Sequence, residues 1–541
     1  MKMKQDSLPI QIKSCITEIS ALIRRFLMKK FYGVLAFLFI LLITAGCSDT
    51  ESSSKKDNQA KGASEAGGTL NIAYDAEPAT LDVQITGNTQ AKDVGRSVFE
   101  SLVILDNEGN VKPDLAEKIE ISDDKKIYTF DIRKGVKFHN GKELTADDVI
   151  ASLNRWIKLS SLGKTNFEGA EVKKTGDLQV ALHLKTPMVN TLNLLADPIP
   201  AAAIYPKEIV ERAPDEGTDQ IIGTGPYKLK EWKQNQHVIL EKFNEYSSEG
   251  REIKKAAQLD KIQFNIITDE STRISGLTTG QFDIAYNISP DNTKQTKSLP
   301  NVENKVSPGG FVGTFYNTKN GLFSNLKARK AINALIDSEA ILTSSYGDPE
   351  YYDLTSSIVS KDFPNYYSEV GAEAYNLADP DKAKQLLKEA GYQNEEIIIL
   401  TTRDWKDTYT ASLVLQQQLE SIGIKVKLKV YDTATLLSTW QSEKDWDLVT
   451  VSWAGRATIF QGFWTSGGAP TEKSQKYLDA IKAKPTIEEA RKEIDATQQY
   501  VWDELPFTLI GHKKQISAVS KNLKGYDFNL GPIFYNITKS N

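Results

Sequence analysis

Cysteine is nearly absent from this 541-residue chain: only Cys15 and Cys47 occur. That excludes a disulfide framework and a Cys-based zinc site. Histidine is scarce too, with His139, His183, His237 and His512 far apart and none in an H-E-x-x-H arrangement. Scattered histidines are more often structural or exposed than metal ligands. No G-x-S-x-G nucleophile elbow is present. "GVKFHNGK" (135–142) has the look of a phosphate loop, but five residues separate its glycines and Glu143 stands where Ser or Thr should bind magnesium. It reads as a turn. Paired acids such as Asp123 and Asp124 sit in a turn-like polar segment, where solvated charge is the ordinary explanation. Nothing here argues for an enzyme, a cofactor or a metal. There is also no excess of basic charge, with 66 Lys and Arg against 71 Asp and Glu, so nucleic-acid binding has no support.

Long apolar runs are absent with one exception. Lys29 and Lys30 precede fifteen apolar or small residues, Phe31 to Ala45, and then Gly46 and Cys47. The run falls short of the roughly 20 residues a helix needs to cross a bilayer, so it reads as the core of a secretory signal. Thr44, Ala45, Gly46 and Cys47 resemble the lipobox of bacterial lipoproteins, with Thr44 a departure from the preferred Leu. Cys47 is then the lipidated first residue of the mature chain. Met28 gives a signal of ordinary length, which makes residues 1–27 the product of an upstream start. Without residues 1–46 the chain has 495 residues, 59 basic and 69 acidic, a net charge of −10. That length suggests two or three domains. Residues 48–68 are polar and nearly free of apolar side chains, too poor in buriable surface to offset chain entropy, and read as a flexible tether.

Beyond the tether, "TLNIAYDAE" (69–77) has the composition of a first strand. "KIYTFDIRKGVKF" alternates Tyr128, Phe130 and Ile132 against Thr129, Asp131 and Arg133, then turns at Lys134 and Gly135, which predicts a half-buried hairpin. "TADDVIASLNRW" predicts a helix capped by Thr145, with Asp147 and Asp148 in its first turn. "DPDKAKQLLKEAGY" predicts another: Asp379 caps, Pro380 opens, Ala383, Leu386, Leu387 and Ala390 share a face, and Gly391 stops it. The order "EEIIIL", "ASLVLQQQLESIG", "IKVKLKV" is β-α-β and predicts a parallel sheet with a right-handed crossover. A further strand-helix series runs from "DWDLVTVSW" through "EEARKEIDATQQYVWDEL". Trp405, Trp446, Trp453, Trp464 and Trp502 crowd the C-terminal third and either line a ligand cleft or fill core.

Five stretches carry a resemblance: 113–156, "IIGTGPYKLKEW" (221–232), "LKARKAINALID" (326–337), "DPDKAKQLLKEAGY" (379–392) and "LQQQLESIGIKVKL" (415–428). In this order they resemble the family 5 solute-binding proteins, the extracytoplasmic receptors of ABC importers for peptides, nickel and related solutes. The resemblance covers residues 68 to the C-terminus. It implies an α/β, two-lobed periplasmic-binding-protein-like fold of type II, cluster C, with an extra subdomain on lobe I and a hinge. Lobe I is expected at 68–104, 216–314 and 516–541, its subdomain at 105–215, and lobe II at 315–515. Crossings between the lobes are expected near 313–317 and 509–513.

The resemblance further implies that a solute bridges the lobes and favours a closed form that a membrane permease recognises. In peptide-binding members, backbone matching "FESL" (99–102) and "SWAGR" (452–456) pairs with the ligand by strand addition. The implied ligand residues are Glu100, Ser101, Trp453, Ala454 and Gly455, with Thr86, Gly87 and Asn88 from the first loop. The aspartate that many peptide binders place after the Trp-Gly region is missing, since Ala457, Thr458 and Ile459 follow Arg456. Arg456 therefore either reads an anionic group of the solute or pairs with a surface acid. The expected protein is a monomeric, lipid-anchored receptor on the outer face of a Gram-positive cell membrane, taking a peptide or peptide-like solute. A nickel-chelate receptor and a surface adhesion or sensory lipoprotein are the alternatives.

Overall fold

The computed structural model describes residues 67–442, 444–454 and 471–540. Cys47, Gly455, Arg456 and Trp464 lie outside these, as do the signal and most of the tether.

Eleven strands form one sheet that runs through both lobes. In lobe I, β1 (Thr69–Tyr74) lies parallel to β10 (Lys261–Ile266) and to the short β11 (Ile284–Ala285). Outside β10, β9 (His237–Lys242) and β8 (Tyr227–Lys233) complete that side antiparallel. In lobe II, β14 (Ile397–Thr402) lies parallel to β15 (Val426–Tyr431) and to β16 (Leu448–Ala454). The helix Lys406–Ser421 makes the crossover from β14 to β15 that the sequence predicts. Ile397, Ile399 and Leu400 are buried, as expected for a strand covered on both faces.

Two long strands join the halves: β12 (Val302–Tyr316) and β17 (Phe507–Ser520), antiparallel along most of their length. β17 pairs with β11 at Ala518 and Val519 and with the short β13 (Tyr352–Asp353), the eleventh strand, at His512 and Lys513, while β12 pairs with β16 from Gly310 to Tyr316. The chain therefore passes between lobes at 305–309 and 514–517. The crossings expected at 313–317 and 509–513 fall further inside lobe II, because each strand is long enough to belong to both sheet halves. Register shifts at Pro308/Gly310 and Val312/Gly313 mark the irregular stretch.

A separate antiparallel sheet, ordered β4 (Ala116–Ile121), β5 (Ile127–Ile132), β7 (Gln179–His183), β6 (Glu171–Gly176), builds the extra subdomain. Tyr128, Phe130 and Ile132 of β5 are buried, as their alternation predicts. Their strand partners are β4 and β7, however, and the turn at Lys134 and Gly135 leads only to an isolated bridge between Lys137 and Glu143, so β5 does not pair forward as a hairpin. Helix Ala146–Leu159 packs on this sheet, and the Asp148 carboxylate accepts from the Thr145 N–H at 3.0 Å and its hydroxyl at 2.7 Å. Trp156 is fully buried and donates from Nε1 to the Pro200 carbonyl at 3.0 Å. Arg155 from the same helix forms a buried ion pair with Asp82 and so ties the subdomain to lobe I. The helix Pro380–Ala390 has its predicted ends, with Asp379 Oδ1 accepting from the Lys382 N–H at 2.9 Å and Gly391 in the left-handed region at φ 87°. No helix among the described residues is long and apolar enough to cross a membrane.

Candidate functional site

The stretch Phe99 to Leu102 follows the short helix Thr89–Gly95 and is held from several sides. Gly225 N–H donates to Val98 C=O at 2.9 Å and Tyr227 N–H to Ser97 C=O at 3.0 Å. The "GTGPY" motif thus lies directly against the segment. A Cβ on Gly223 would come within 2.1 Å of the Val98 carbonyl oxygen, and one on Gly225 within 2.6 Å of that of Ser97. Only glycine permits this approach. His139 closes the contact from the subdomain side: its Nδ1 accepts from Gly223 N–H at 3.3 Å and its Nε2–H donates to Gly225 C=O at 3.0 Å.

Glu100 is only 3% exposed, and its carboxylate points into lobe I rather than toward a solute. Arg251 reaches it at 2.6 Å, Lys255 at 3.0 Å, Thr224 Oγ1 at 2.9 Å and Tyr246 Oη at 3.0 Å. Asp114 shares both cations. Burial pushes the Glu100 carboxyl up, but Lys255 and Arg251 outweigh it and hold the group down at about 2. Its side chain is an anchor. The backbone is a different matter. Glu100 C=O accepts from Ile204 N–H at 2.9 Å and Ser101 C=O from Leu115 N–H at 3.2 Å. Among the described residues, Phe99 C=O and the N–H groups of Glu100 and Ser101 have no hydrogen-bond partner. A free C=O at one residue and a free N–H two residues on are the two groups that a parallel strand uses to bind one residue of its neighbour.

The first-loop candidates are occupied otherwise. Asn88 caps the helix Thr89–Gly95, its Oδ1 accepting from Ala91 N–H at 2.9 Å, and Thr86 Oγ1 accepts from Asn88 N–H at 3.1 Å. Gly87 is exposed with open space around it.

In lobe II, Trp453 and Ala454 end β16, opposite Phe311 and Gly310 of β12. Trp453 is half-buried and meets Trp405 edge-on at 5.8 Å and Trp440 at 6.2 Å. Trp446 and Trp502 are core, so of the tryptophans read from sequence only Trp405 and Trp453 keep partly open faces among the described residues. Ser452 N–H donates to Thr408 Oγ1 at 2.9 Å, which fixes β16 to the start of the helix Lys406–Ser421. Beside it, Asp407 accepts from Tyr346 Oη at 2.9 Å and from Lys513 Nζ at 3.2 Å.

Sequence reasoning missed Asp114, Thr224, Tyr246, Arg251 and Lys255 around Glu100, and Tyr346, Asp407 and Lys513 beside Ser452. The paired glycines of "GTGPY" were a usable signal for close backbone approach. "REIKK" (251–255) reads as ordinary solvated charge and gave none.

No group of His, Cys, Asp and Glu among the described residues is arranged to hold a metal. The geometry offers unpaired backbone, aromatic faces and fixed charges, a set suited to holding a solute rather than to breaking bonds.

Residues 110–502 match the family described as bacterial extracellular solute-binding proteins, family 5 Middle, and the chain belongs to it. It is a solute-binding protein, not an enzyme. The chain is 28% identical over 554 aligned positions to the oligopeptide-binding protein AppA of Bacillus subtilis (strain 168), covering 95% of this chain and 99% of that one. It is 30% identical over 488 positions to the glutathione-binding protein GsiB of Salmonella paratyphi A, covering 84% and 91%. The solved structure of Bacillus subtilis AppA in complex with a nonapeptide superposes with a TM-score of 0.73 at 27% identity, over 88% of this chain and 98% of that one. The dipeptide-binding protein of Pseudoalteromonas sp. SM9913, in complex with Met-Leu, shares the fold with a TM-score of 0.75 at 22% identity, over 87% and 100%.

Proposed function

We propose that this protein is the peptide receptor of an ABC importer, delivering its cargo to a membrane permease. The observation that carries the reading is the unpaired Phe99 C=O and Ser101 N–H, a ready partner for one residue of a peptide strand running parallel to 99–101. Main-chain pairing of this kind gives affinity without reading side chains. The likeness to AppA, known as an oligopeptide-binding protein, supports the same class of solute. Trp453, Ala454 and Gly455 supply the opposing wall from lobe II, with Arg456 as a further contact to anionic solutes and Thr86, Gly87 and Asn88 flanking the lobe I side. Lobe I comprises 68–104, 216–309 and 514–541, its subdomain 105–215 and lobe II 310–513, the inner boundaries moved from 314 and 515 because β12 already pairs with β16 at Gly310; the two parallel strand sets and the separate antiparallel sheet support this division. A lipid on Cys47 and the polar tether hold the receptor at the outer face of the membrane.

Native mass spectrometry of the purified protein with a mixed peptide library tests the reading. Stoichiometric capture of peptides is expected, and capture of none by a folded sample would overturn it. For the anchor, Cys47→Ser should release the protein from membranes or leave the signal uncleaved; unchanged mass and partition would sink that part alone.

A further inference from the structure

Asparagine is followed by glycine at two places in the chain, Asn140–Gly141 and Asn320–Gly321. All four residues are exposed. Glycine has no side chain to crowd its nitrogen, so in both pairs that nitrogen can reach the asparagine carboxamide carbon Cγ and close a five-membered ring. The surroundings of the nitrogen differ.

The turn at Asn140 is fastened across the pair. Gly141 N–H donates to Phe138 C=O at 2.8 Å, Phe138 N–H donates to Lys142 C=O at 2.8 Å, and Lys142 N–H donates to Asn140 Oδ1 at 3.1 Å. Nitrogen and carboxamide are both engaged, so the turn has to open before they can react. At Asn320 the fastening misses the reacting nitrogen. Asn320 N–H donates to Asn317 Oδ1 at 3.1 Å, and Gly321 C=O accepts from Ser324 N–H at 3.3 Å and from the Ser324 hydroxyl at 2.8 Å. Gly321 N–H has no hydrogen-bond partner among the described residues.

We infer that Asn320 is a site of spontaneous deamidation and that the fold protects Asn140. The Gly321 nitrogen attacks Asn320 Cγ: the N–Cγ bond forms, the Cγ–Nδ2 bond breaks, and the amide proton leaves with Nδ2 as ammonia. Water then opens the cyclic imide at either carbonyl, giving aspartate or isoaspartate. Nothing is oxidised or reduced, and water is the only co-reactant. The product gains one negative charge. Asn320 follows the Tyr316 end of β12, which pairs with Leu448, whereas the proposed cleft wall lies at Ala454, six residues along β16. That is roughly 20 Å at the rise of an antiparallel strand. Aged molecules therefore carry their extra charge away from the cleft.

The test incubates the purified protein at pH 8 and 37 °C in water enriched in oxygen-18, once folded and once in urea, and follows both asparagines by peptide mass spectrometry. In urea, where no turn survives, the two pairs should react at similar rates. In the folded protein Asn320 should keep a comparable rate, each converted chain taking up one labelled oxygen. Asn140 should slow about 10- to 100-fold, the factor for first breaking two ordinary hydrogen bonds. Equal folded-state rates at the two sites, a faster reaction at Asn140, or an Asn320 left intact in the folded protein would overturn the inference.

Discussion

The guanidinium of Arg251 stands between two carboxylates, 2.6 Å from Glu100 and 2.5 Å from Asp114, with Lys255 bridging the same pair from the other side. All four side chains are buried. The cluster welds the Phe99 to Leu102 segment to the Asp114 region and to the 251–255 loop. Removing one member strands a partner, and breaking a buried pair costs about 3–5 kcal/mol. Arg251→Met should lose stability on that scale in urea titration, and Glu100→Gln somewhat less because an amide keeps part of the hydrogen bonding. Glu100 is held at about 2 in the folded state against 4.5 ordinarily, so its contribution is present above 4.5 and lost as pH falls from there toward 2. Glu100→Gln should flatten the stability profile in that window; an unchanged slope would show that the carboxylate is not paired in solution.

The close approach at "GTGPY" leads to a second prediction. Gly223→Ala places a methyl group 2.1 Å from a backbone oxygen, which forces the Val98 to Glu100 segment to move. A cost of about 1–3 kcal/mol is expected from overpacking, together with weaker peptide binding because the displaced backbone is the proposed partner strand. Gly87→Ala is the contrast, since nothing lies within 4 Å of the added methyl. It should leave the melting temperature unchanged. Equal peptide affinities for the wild type and Gly223→Ala would separate the Phe99 to Leu102 segment from the ligand site.

Local rules made most of the elements legible. Asp379, Pro380 and Gly391 delimit their helix because cap and stop chemistry act within one turn of the chain. The alternation of Tyr128, Phe130 and Ile132 predicts their burial, yet not their partners, because pairing is a long-range choice and β5 takes β4 and β7. β12 likewise looks like one strand from either lobe, so the crossing point could not be read from its composition. At the site, motif resemblance located Phe99 to Leu102 but said nothing of where Glu100 points. Its partners lie 124, 146, 151 and 155 residues away at Thr224, Tyr246, Arg251 and Lys255. Only the folded chain brings them together.

His139 carries a pH dependence of its own. Burial lowers its pKa to about 4, against the opposing pull of the Gly225 carbonyl. The neutral ring is required, because Nδ1 must accept from Gly223 N–H while Nε2–H donates. The unfolded chain binds this proton below about 6.5 and the folded chain only near 4, so stability is complete above 6.5 and declines as pH falls toward 4. At about 1.4 kcal/mol per unit, the loss is up to about 3 kcal/mol. Urea titrations at pH 7.0 and 4.5 should show it in the wild type and show much less in His139→Gln. The window overlaps that of Glu100 only between about 4 and 4.5, so the loss between 6.5 and 4.5 belongs to His139. Parallel profiles for wild type and variant would mean that the ring is not buried neutral.

Closure is the last prediction. Lys482, at the end of the helix Glu472–Lys482 in lobe II, donates from Nζ to Asn166 Oδ1 at 2.9 Å, and its carbonyl accepts from Val189 N–H at 2.9 Å. Asn166 and Val189 belong to the extra subdomain, so these bonds exist only while the subdomain and lobe II touch. On the crossing side, Lys297 and Glu350 pair at 2.5 Å and Lys406 pairs with Asp291, again between the 290–297 segment and lobe II. Those two pairs are well exposed and worth little individually. The Lys482 contact is half-buried and contributes more, in the range of a hydrogen bond to a charged group, about 1.5–3 kcal/mol. Apparent affinity scales with the fraction of molecules in the binding-competent form. Asn166→Ala should therefore open the unliganded protein, raise its radius of gyration in X-ray scattering, and weaken peptide binding by about tenfold, while saturating peptide restores the wild-type scattering curve. Scattering and affinity both equal to the wild type would show that the subdomain takes no part in closure.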